Sequence, residues 1–285
     1  MNPVLSAPRL VKTPSGWWVA DESGAGPLPP GTTLGSLLAL PADGLDALVA
    51  ATARTAPAPD SLLAPVDDDT EVWAAGVTYE VSREARMEES STSSDLYARV
   101  YEAERPELFF KSVGWRVAGP GRPIGVREDS TWDVPEPELG VVCNAAGAIV
   151  GYTVVNDVSS RSIEGDNPLY LPQAKMYHGS CAAGPGIVLA TGVPDPYRLA
   201  ISVEIHRGGA LLWSGETSTA RLHRKLTDLT AYLYRAEVFP RGALLATGTS
   251  AVPGPDVTLQ PGDEVAITID GLGTLRNPVR AGLFG

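Results

Sequence analysis

Histidine and cysteine are scarce in this chain of 285 residues. It has two cysteines, Cys143 and Cys181, and three histidines, His178, His206 and His223. Two cysteines exclude a disulfide scaffold and a cysteine-rich zinc site. A metal site in this protein would therefore depend on carboxylates, which number 34.

Positive charge is also in short supply. Lys and Arg number 22 against 34 Asp and Glu, which gives a formal net charge of −12. Nucleic-acid binding needs a basic surface, and an anionic membrane repels an acidic protein. No apolar run is long enough to span a bilayer, and no charged-then-apolar leader opens the chain. We therefore expect a cytoplasmic protein that binds neither nucleic acid nor membrane.

What the chain does have is many turn formers, 30 Gly and 25 Pro, between short apolar runs. These runs predict strands at 72–76, 108–111, 139–143, 149–155, 186–190, 199–206, 211–213 and 265–269. The segments 144–147 and 207–209 read as hairpin turns. Leucines at 4-3-4 spacing predict one clear helix over 219–236. Strands and helices do not alternate, so we expect a β-rich α+β fold with a mixed sheet that closes on itself.

The first 65 residues differ from the rest in composition and in their pattern of predicted elements. They hold a predicted hairpin around residues 13–16, a Gly- and Pro-rich stretch and two short helices. A Pro- and Asp-rich run over 56–69 reads as a linker. We therefore predict a small N-terminal α/β subdomain at 1–65 and a main domain at 66–285.

The most informative stretch is Asp133-Val-Pro-Glu136-Pro-Glu138. Two glutamates two residues apart on an extended segment point the same way, and the prolines keep the backbone extended. Because the two carboxylates repel, a hard divalent cation between them is a natural partner. On spacing alone, a solvated edge strand with two exposed acids remains an alternative.

Three later residues extend this constellation. Asp157 ends the next predicted strand and would complete a three-carboxylate face suited to Mg²⁺ or Mn²⁺. Lys175, amid small and apolar residues, suits carboxylate binding or proton transfer. Thr249 lies in a Thr-Gly-Thr turn whose N–H and hydroxyl donors can hold a small anion. Each of these signals is weak when taken singly.

The order of these pieces resembles the fumarylacetoacetate hydrolase superfamily across roughly residues 72–279. The matching segments are Gly76-Val-Thr-Tyr79, Phe-Phe-Lys111, Pro-Glu136-Pro-Glu138-Leu, Asn-Asp157-Val-Ser-x-Arg161, Lys175 and Thr-Gly-Thr249. The resemblance implies a mixed β-sandwich roll, usually a homodimer or homotetramer. It also implies Mg²⁺, with Mn²⁺ or Ca²⁺ as alternatives, on Glu136, Glu138 and Asp157, where the ion chelates a small 2-oxo acid.

Within that superfamily the longest matching stretches, 76–84, 105–111, 167–173 and 247–254, are similar to those of 2-dehydro-3-deoxy-pentonate dehydratases. The resemblance implies a lyase that forms 2,5-dioxopentanoate through a metal-bound enolate. Lys175 and Glu107 are then the candidates for proton transfer. The candidate substrate contacts are Thr249, Arg161, Lys111, Gln173, Ser82 and Tyr79.

Departures from the family pattern bear on the reaction. Hydrolytic members carry a water-activating histidine where this chain has Ser82, and serine is a poor general base. Ser162 replaces a frequent acid, and His178 follows Lys175 where a small residue is usual. These changes leave a biosynthetic role open. A decarboxylase, a tautomerase or isomerase and an acylpyruvate-type hydrolase remain alternatives because each begins with the same metal-bound enolate, and Ser82 counts against the hydrolase only. A non-catalytic accessory protein is a further alternative, which the intact acidic residues disfavour.

Overall fold

The computed structural model describes residues 7–79 and 94–282. The strands in these ranges are β1 Arg9–Thr13, β2 Gly16–Asp21, β3 Gly24–Pro27, β4 Glu71–Gly76, β5 Glu107–Val113, β6 Ile124–Val126, β7 Asp133–Val134, β8 Pro137–Cys143, β9 Ile149–Asp157, β10 Ser159–Ser160, β11 Cys181–Leu189, β12 Ala200–Arg207, β13 Ala210–Ser218, β14 Ala243–Ala246, β15 Glu264–Ile269 and β16 Gly273–Ala281. The α-helices are α1 Leu34–Leu38, α2 Ala42–Ala51, α3 Ser94–Glu102, α4 Arg161–Asp166, α5 Leu171–Lys175 and α6 Leu226–Leu233. None of these helices is long and apolar enough to cross a membrane.

Two large sheets build the molecule. A nine-stranded sheet has the order β3-β2-β1-β11-β9-β8-β14-β4-β5, and a five-stranded sheet has the order β13-β12-β15-β16-β6. The first is antiparallel except where β14 runs parallel to β4. A short ladder of β7 and β10 lies outside both sheets. The predicted β-rich mixed roll is therefore confirmed.

Side-chain alternation along the central strands gives the nine-stranded sheet two buried faces. On one face Val141 and Val154 belong to the same core as Ile205 and Ile267 of the five-stranded sheet. On the other face the neighbouring Val142 and Val155 pack with leucines of α1 and α2. The central strands read as continuous apolar runs because both of their faces are covered.

The N-terminal strands join the main sheet. β1 pairs with β2 around the predicted turn, and Arg9 and Leu10 also pair with Val188 and Ile187 of β11. The hairpins that join β8 to β9 and β12 to β13 lie where they were predicted. The subdomain boundary at residue 65 stays a prediction.

The helix predicted over 219–236 is wrong in its extent. α6 runs only from Leu226 to Leu233, after a single 3₁₀ turn at Thr219–Arg221. The N–H of Thr219 donates to Leu199 O at 3.0 Å, and that of His223 donates to Thr78 O at 2.9 Å. Because the His223 N–H is used on Thr78 O and not on the carbonyl of Thr219, four residues earlier, the α-helix begins only at Leu226 despite the leucine spacing.

Candidate active site

Three carboxylates meet where β8 begins and β9 ends. The two strands are antiparallel, with Glu138 paired to Val155, and the N–H of Asp157 donates to Glu136 O at 3.0 Å. The ligand oxygens of Glu136, Glu138 and Asp157 all lie within 4.8 Å of one another, and all three residues are buried. The exposed edge strand considered for Glu136 and Glu138 is thereby excluded.

Neighbouring groups fix the two glutamates in place. The Asn156 side chain accepts the N–H of Glu136 at 3.1 Å, and Glu138 Oε2 accepts the N–H of Gly248 at 2.6 Å. Gly248 has φ +89°, and a Cβ there would collide with the Thr78 hydroxyl. Glycine is therefore required for this turn to bring its N–H onto Glu138.

The electrostatics of this cluster favour a bound cation. Burial raises the pKa of Glu138 well above its ordinary value, and the charges of Asp157 and Glu136 raise it further. Like charges this close repel strongly, and a divalent cation with oxygen ligands relieves that repulsion. The donor set of Glu136, Glu138 and Asp157 thus fits Mg²⁺ or a similar hard ion.

Lys175, the last residue of α5, extends its ammonium into the cluster. Lys175 Nζ lies 2.9 Å from Glu136 Oε2 and 3.2 Å from Asp157 Oδ2, and it donates to Ser159 Oγ at 2.5 Å. The side chain is buried, and its nitrogen lies 5.7 Å from the centre of the Phe109 ring. A primary amine is thereby held directly against the carboxylate cluster.

Two further cations surround the carboxylates. Arg161 opens α4, and its Nε and Nη2 lie 3.1 and 3.0 Å from Glu136 Oε1. Lys111, on β5, is fully buried and forms a close ion pair with Asp157 Oδ1. Glu136 and Asp157 are therefore each contacted by two positively charged side chains.

A small cavity of about 20 Å³ opens onto this cluster. Thr249 and Gly248 form part of its wall together with Ala75, Gly76, Val77, Phe109, Glu136, Glu138, Asp157, Arg161 and Lys175. A single water molecule needs about 10–15 Å³, so the cavity has the size of one ion or water. The predicted positions 136, 138, 157, 161, 175 and 249 are thus brought together by the fold.

Glu107 lies in an adjoining, larger cavity. It begins β5 opposite Gly76, with its carboxylate so close that a Cβ on Gly76 would collide with it. Glu107 and Glu164 line a cavity of about 280 Å³ with Val100, Arg105, Pro106, Pro168 and Leu171. Because Gly76 also borders the small cavity, Glu107 lies beside the carboxylate cluster.

Three further residues were predicted to contact the substrate, namely Tyr79, Gln173 and Ser82, and of these the described residues Tyr79 and Gln173 do not line the small cavity. Tyr79 is fully buried, and its hydroxyl has no hydrogen-bond partner among the described residues. Burial, together with the charge of Glu138, raises its pKa. Gln173 is exposed on α5, and Ser82 lies outside the described residues. Substrate contacts at all three positions stay predictions.

Sequence reasoning missed two polar residues that hold this site together. Ser159 contacts the Lys175 ammonium, and Asn156 holds the main chain of Glu136. Both lie within two residues of Asp157 in the Asn-Asp-Val-Ser segment. This closeness to a predicted metal ligand is the one sequence feature that could have indicated them. The residue type alone does not indicate a role at the site, because buried Ser and Asn are common hydrogen-bonding residues.

Comparisons with known proteins identify the family and several relatives of this chain. Residues 72–280 match the family model for the fumarylacetoacetate (FAA) hydrolase C-terminal region. The chain is 54% identical over 215 residues to a probable 2-keto-3-deoxyxylonate dehydratase of Haloferax volcanii, covering 75% of this chain and 73% of that protein. It is 45% identical over 216 residues to the 2-dehydro-3-deoxy-D-arabinonate dehydratase of Saccharolobus solfataricus, covering 75% and 72%.

A solved structure also resembles this fold closely. It is a 2-keto-3-deoxy-D-arabinonate dehydratase complexed with magnesium and 2,5-dioxopentanoate. The two chains are 34% identical, with a TM-score of 0.84 and coverage of 97% of this chain and 99% of that one. The similarity therefore extends over the N-terminal strands as well as the family region.

Proposed function

The chain belongs to the fumarylacetoacetate hydrolase family, and we propose that it is a Mg²⁺-dependent dehydratase converting a 2-dehydro-3-deoxy-pentonate to 2,5-dioxopentanoate. The observation that carries this proposal is the buried triad of Glu136, Glu138 and Asp157 with Lys175 bonded to two of its members. Support comes from dehydratases that are 54% and 45% identical to this chain. A similar structure holds both the metal and the product named here.

The three carboxylates are the residues that would hold the ion. A bound divalent ion supplies Lewis acidity, which polarises a keto oxygen and acidifies the neighbouring C–H bonds. Glu136, Glu138 and Asp157 fix its position because hydrogen bonds and ion pairs already orient each of them. Burial of the cluster keeps bulk water away and strengthens these electrostatic interactions.

The substrate carboxylate is assigned to the turn after β14. Thr249 lines the small cavity together with the triad residues, and its hydroxyl is a donor suited to an anion. Arg161 lines the same cavity and adds positive charge beside Glu136. Together they orient a 2-oxo acid with its keto group toward the carboxylate cluster.

Lys175 and Glu107 are assigned to the proton transfers. Dehydration removes a proton from C3 and expels the C4 hydroxyl as water, and the resulting unsaturated alcohol rearranges to the C5 aldehyde. Lys175 Nζ lies within the cluster, while Glu107 lies beside it in the 280 Å³ cavity. In this proposal Lys175 acts near the keto end of the substrate and Glu107 acts near the leaving hydroxyl.

Assembly and location are part of the same proposal. We infer a homodimer or homotetramer that works in the cytoplasm on a small-molecule substrate, with a main domain at 66–285 preceded by a small subdomain at 1–65. Size-exclusion chromatography with light scattering measures the assembly. A monomer at working concentration would contradict that part alone.

The test of function is direct turnover. Purified protein with Mg²⁺ and a 2-dehydro-3-deoxy-pentonate should release a semialdehyde, which a coupled aldehyde dehydrogenase reports. Glu136→Gln should abolish the reaction, whereas Glu204→Gln, at a half-exposed carboxylate on β12, should not change it. Turnover of an acylpyruvate without any semialdehyde from the pentonate would reject the dehydratase proposal.

A further inference from the structure

Ser159 holds the Lys175 ammonium through a hydroxyl that is itself oriented. Ser159 Oγ donates its proton to the main-chain oxygen of Asp157 at 2.9 Å, and it accepts from Lys175 Nζ at 2.5 Å. A hydroxyl has one proton and two acceptor lone pairs. Because the proton is used on Asp157 O, a lone pair faces the ammonium.

The main chain around Ser159 is itself held in place. Ser159 belongs to β10, which pairs with β7 through Val134. Lys111 Nζ donates to Val158 O at 3.0 Å and to Lys175 O at 2.6 Å, which ties the residue before Ser159 to the main chain of Lys175. One buried ammonium thus sets the spacing between the two residues, and a group on such a support is positioned more accurately than one on a free loop.

We propose that Ser159 is a positioning residue that sets the direction of the Lys175 ammonium relative to the carboxylate cluster. This inference rests on the proposed function, in which Lys175 transfers a proton. Without the hydroxyl, the ammonium keeps its contacts with Glu136 and Asp157 but loses the acceptor that draws it toward β10. Small misplacements of a catalytic group cost up to about 100-fold in rate.

The inference also gives Lys111 a part different from the substrate contact expected from its sequence motif. Its nitrogen lies on two carbonyl oxygens and Asp157, and its side chain has no exposed surface. Lys111 thereby supports the segment on which Ser159 acts. It is a poor test residue, because removing it takes away one of the two cations that compensate the buried charge of Asp157.

Ser159→Ala is the direct test because serine is neutral and the change is small. We expect kcat for the pentonate to fall about 10- to 100-fold, while KM and the Mg²⁺ affinity measured by calorimetry change less than about twofold. Ser159→Thr, which keeps the hydroxyl, should recover most of kcat. Ser112→Ala, at a buried serine on the strand that carries Lys111, serves as the matched control and should retain full kcat.

A second measurement separates this inference from the dehydratase proposal. In D₂O with Mg²⁺, NMR follows proton exchange at C3 of 2-oxobutanoate, which needs proton transfer but no loss of water. Wild-type exchange without dehydration rejects the proposed function alone, and a slower exchange in Ser159→Ala still supports the positioning role. Three results would each overturn the positioning role of Ser159. The first is a Ser159→Ala variant with unchanged kcat and unchanged exchange, and the second is a change in Mg²⁺ affinity as large as the change in kcat. The third is a wild-type protein that neither exchanges the C3 protons nor dehydrates the pentonate.

Discussion

Replacing Glu138 with glutamine should stabilise the protein without metal and at the same time remove its stabilisation by metal. Glu138 is buried, and its Oε2 accepts the Gly248 N–H at 2.6 Å. Glutamine keeps an oxygen for this hydrogen bond and a similar shape, so the substitution removes mainly the negative charge. The two neighbouring acids, Glu136 and Asp157, stay in place.

The expected gain follows from the spacing of the charges. Two carboxylate oxygens as far apart as 4.8 Å repel by about 3 kcal/mol at an effective dielectric constant near 20. Glu138 has two such neighbours, and the Lys175 ammonium offsets part of the repulsion. We therefore expect Glu138→Gln to raise the free energy of unfolding in EDTA at pH 8 by about 1–3 kcal/mol, an amount well within the range of single substitutions.

The pH dependence has a definite sign. Burial and like charges raise the pKa of Glu138 well above its ordinary value, so the folded protein binds a proton there more readily than the unfolded chain does. This stabilising contribution is present at low pH and is lost as the pH rises through the raised pKa. The advantage of the glutamine variant should therefore shrink as the pH falls.

Scanning calorimetry with and without Mg²⁺ measures both effects. At a Mg²⁺ concentration of 100 times Kd, the free energy of unfolding of the wild type should rise by about 2.7 kcal/mol. Glu138→Gln should lose most of this rise, and in steady-state kinetics its kcat/KM should fall at least about 100-fold. Glu264→Gln, at an exposed acid on β15, is the control and should shift neither quantity. A glutamine variant that is less stable than wild type in EDTA and keeps the full Mg²⁺ response would refute the reasoning.

Four further outcomes are expected. Burial raises the pKa of Asp133 to about 6, so this group favours folding at pH 4 and loses that contribution as the pH rises past 6. By calorimetry, Asp133→Asn should therefore be about 3 kcal/mol more stable than wild type at pH 8 but not at pH 4. Thr249→Val should raise KM about 10- to 100-fold with a smaller effect on kcat in steady-state kinetics, because it removes the donor that we propose for the substrate carboxylate. Gly248→Ala should lower stability by about 1–3 kcal/mol in urea titrations, because its Cβ meets the Thr78 hydroxyl. Dialysis against EDTA should abolish turnover and lower Tm, and added Mg²⁺ or Mn²⁺ should restore both; activity that survives chelation would contradict a metal-dependent reaction.

Much of the site could be predicted from short sequence segments because neighbouring residues set the direction of its carboxylates. Glu136 and Glu138 share one direction because they stand two residues apart on extended backbone, and the prolines beside Glu136 enforce that conformation. Asp157 could be added because it ends the next strand, and antiparallel neighbours bring such an end beside the start of β8. The hairpin at 144–147 that joins the two strands could also be predicted from its turn residues.

Other features depend on contacts between segments distant in the chain. The helix predicted over 219–236 is shortened at its N-terminal end because the His223 N–H bonds to Thr78 O and not to an acceptor within the helix. Lys111 fits its sequence motif equally well as a substrate contact and as a buried support. Its contacts with Asp157 and Lys175 O show which atoms it faces, and no spacing rule indicates them.

By itself, the sequence determined the chemistry that this protein has at its disposal: few histidines and cysteines, many carboxylates, and an ordered set of acidic, basic and turn segments. Strand periodicity and turn residues also determined the β-rich class, since both act over a few neighbouring positions. Only the tertiary structure decided that Lys175, Ser159 and Lys111, from three separate segments, share one buried network with Asp157. The physical reason is that burial and hydrogen-bond geometry arise where sheets and loops pack together, so a residue's partners depend on the whole fold.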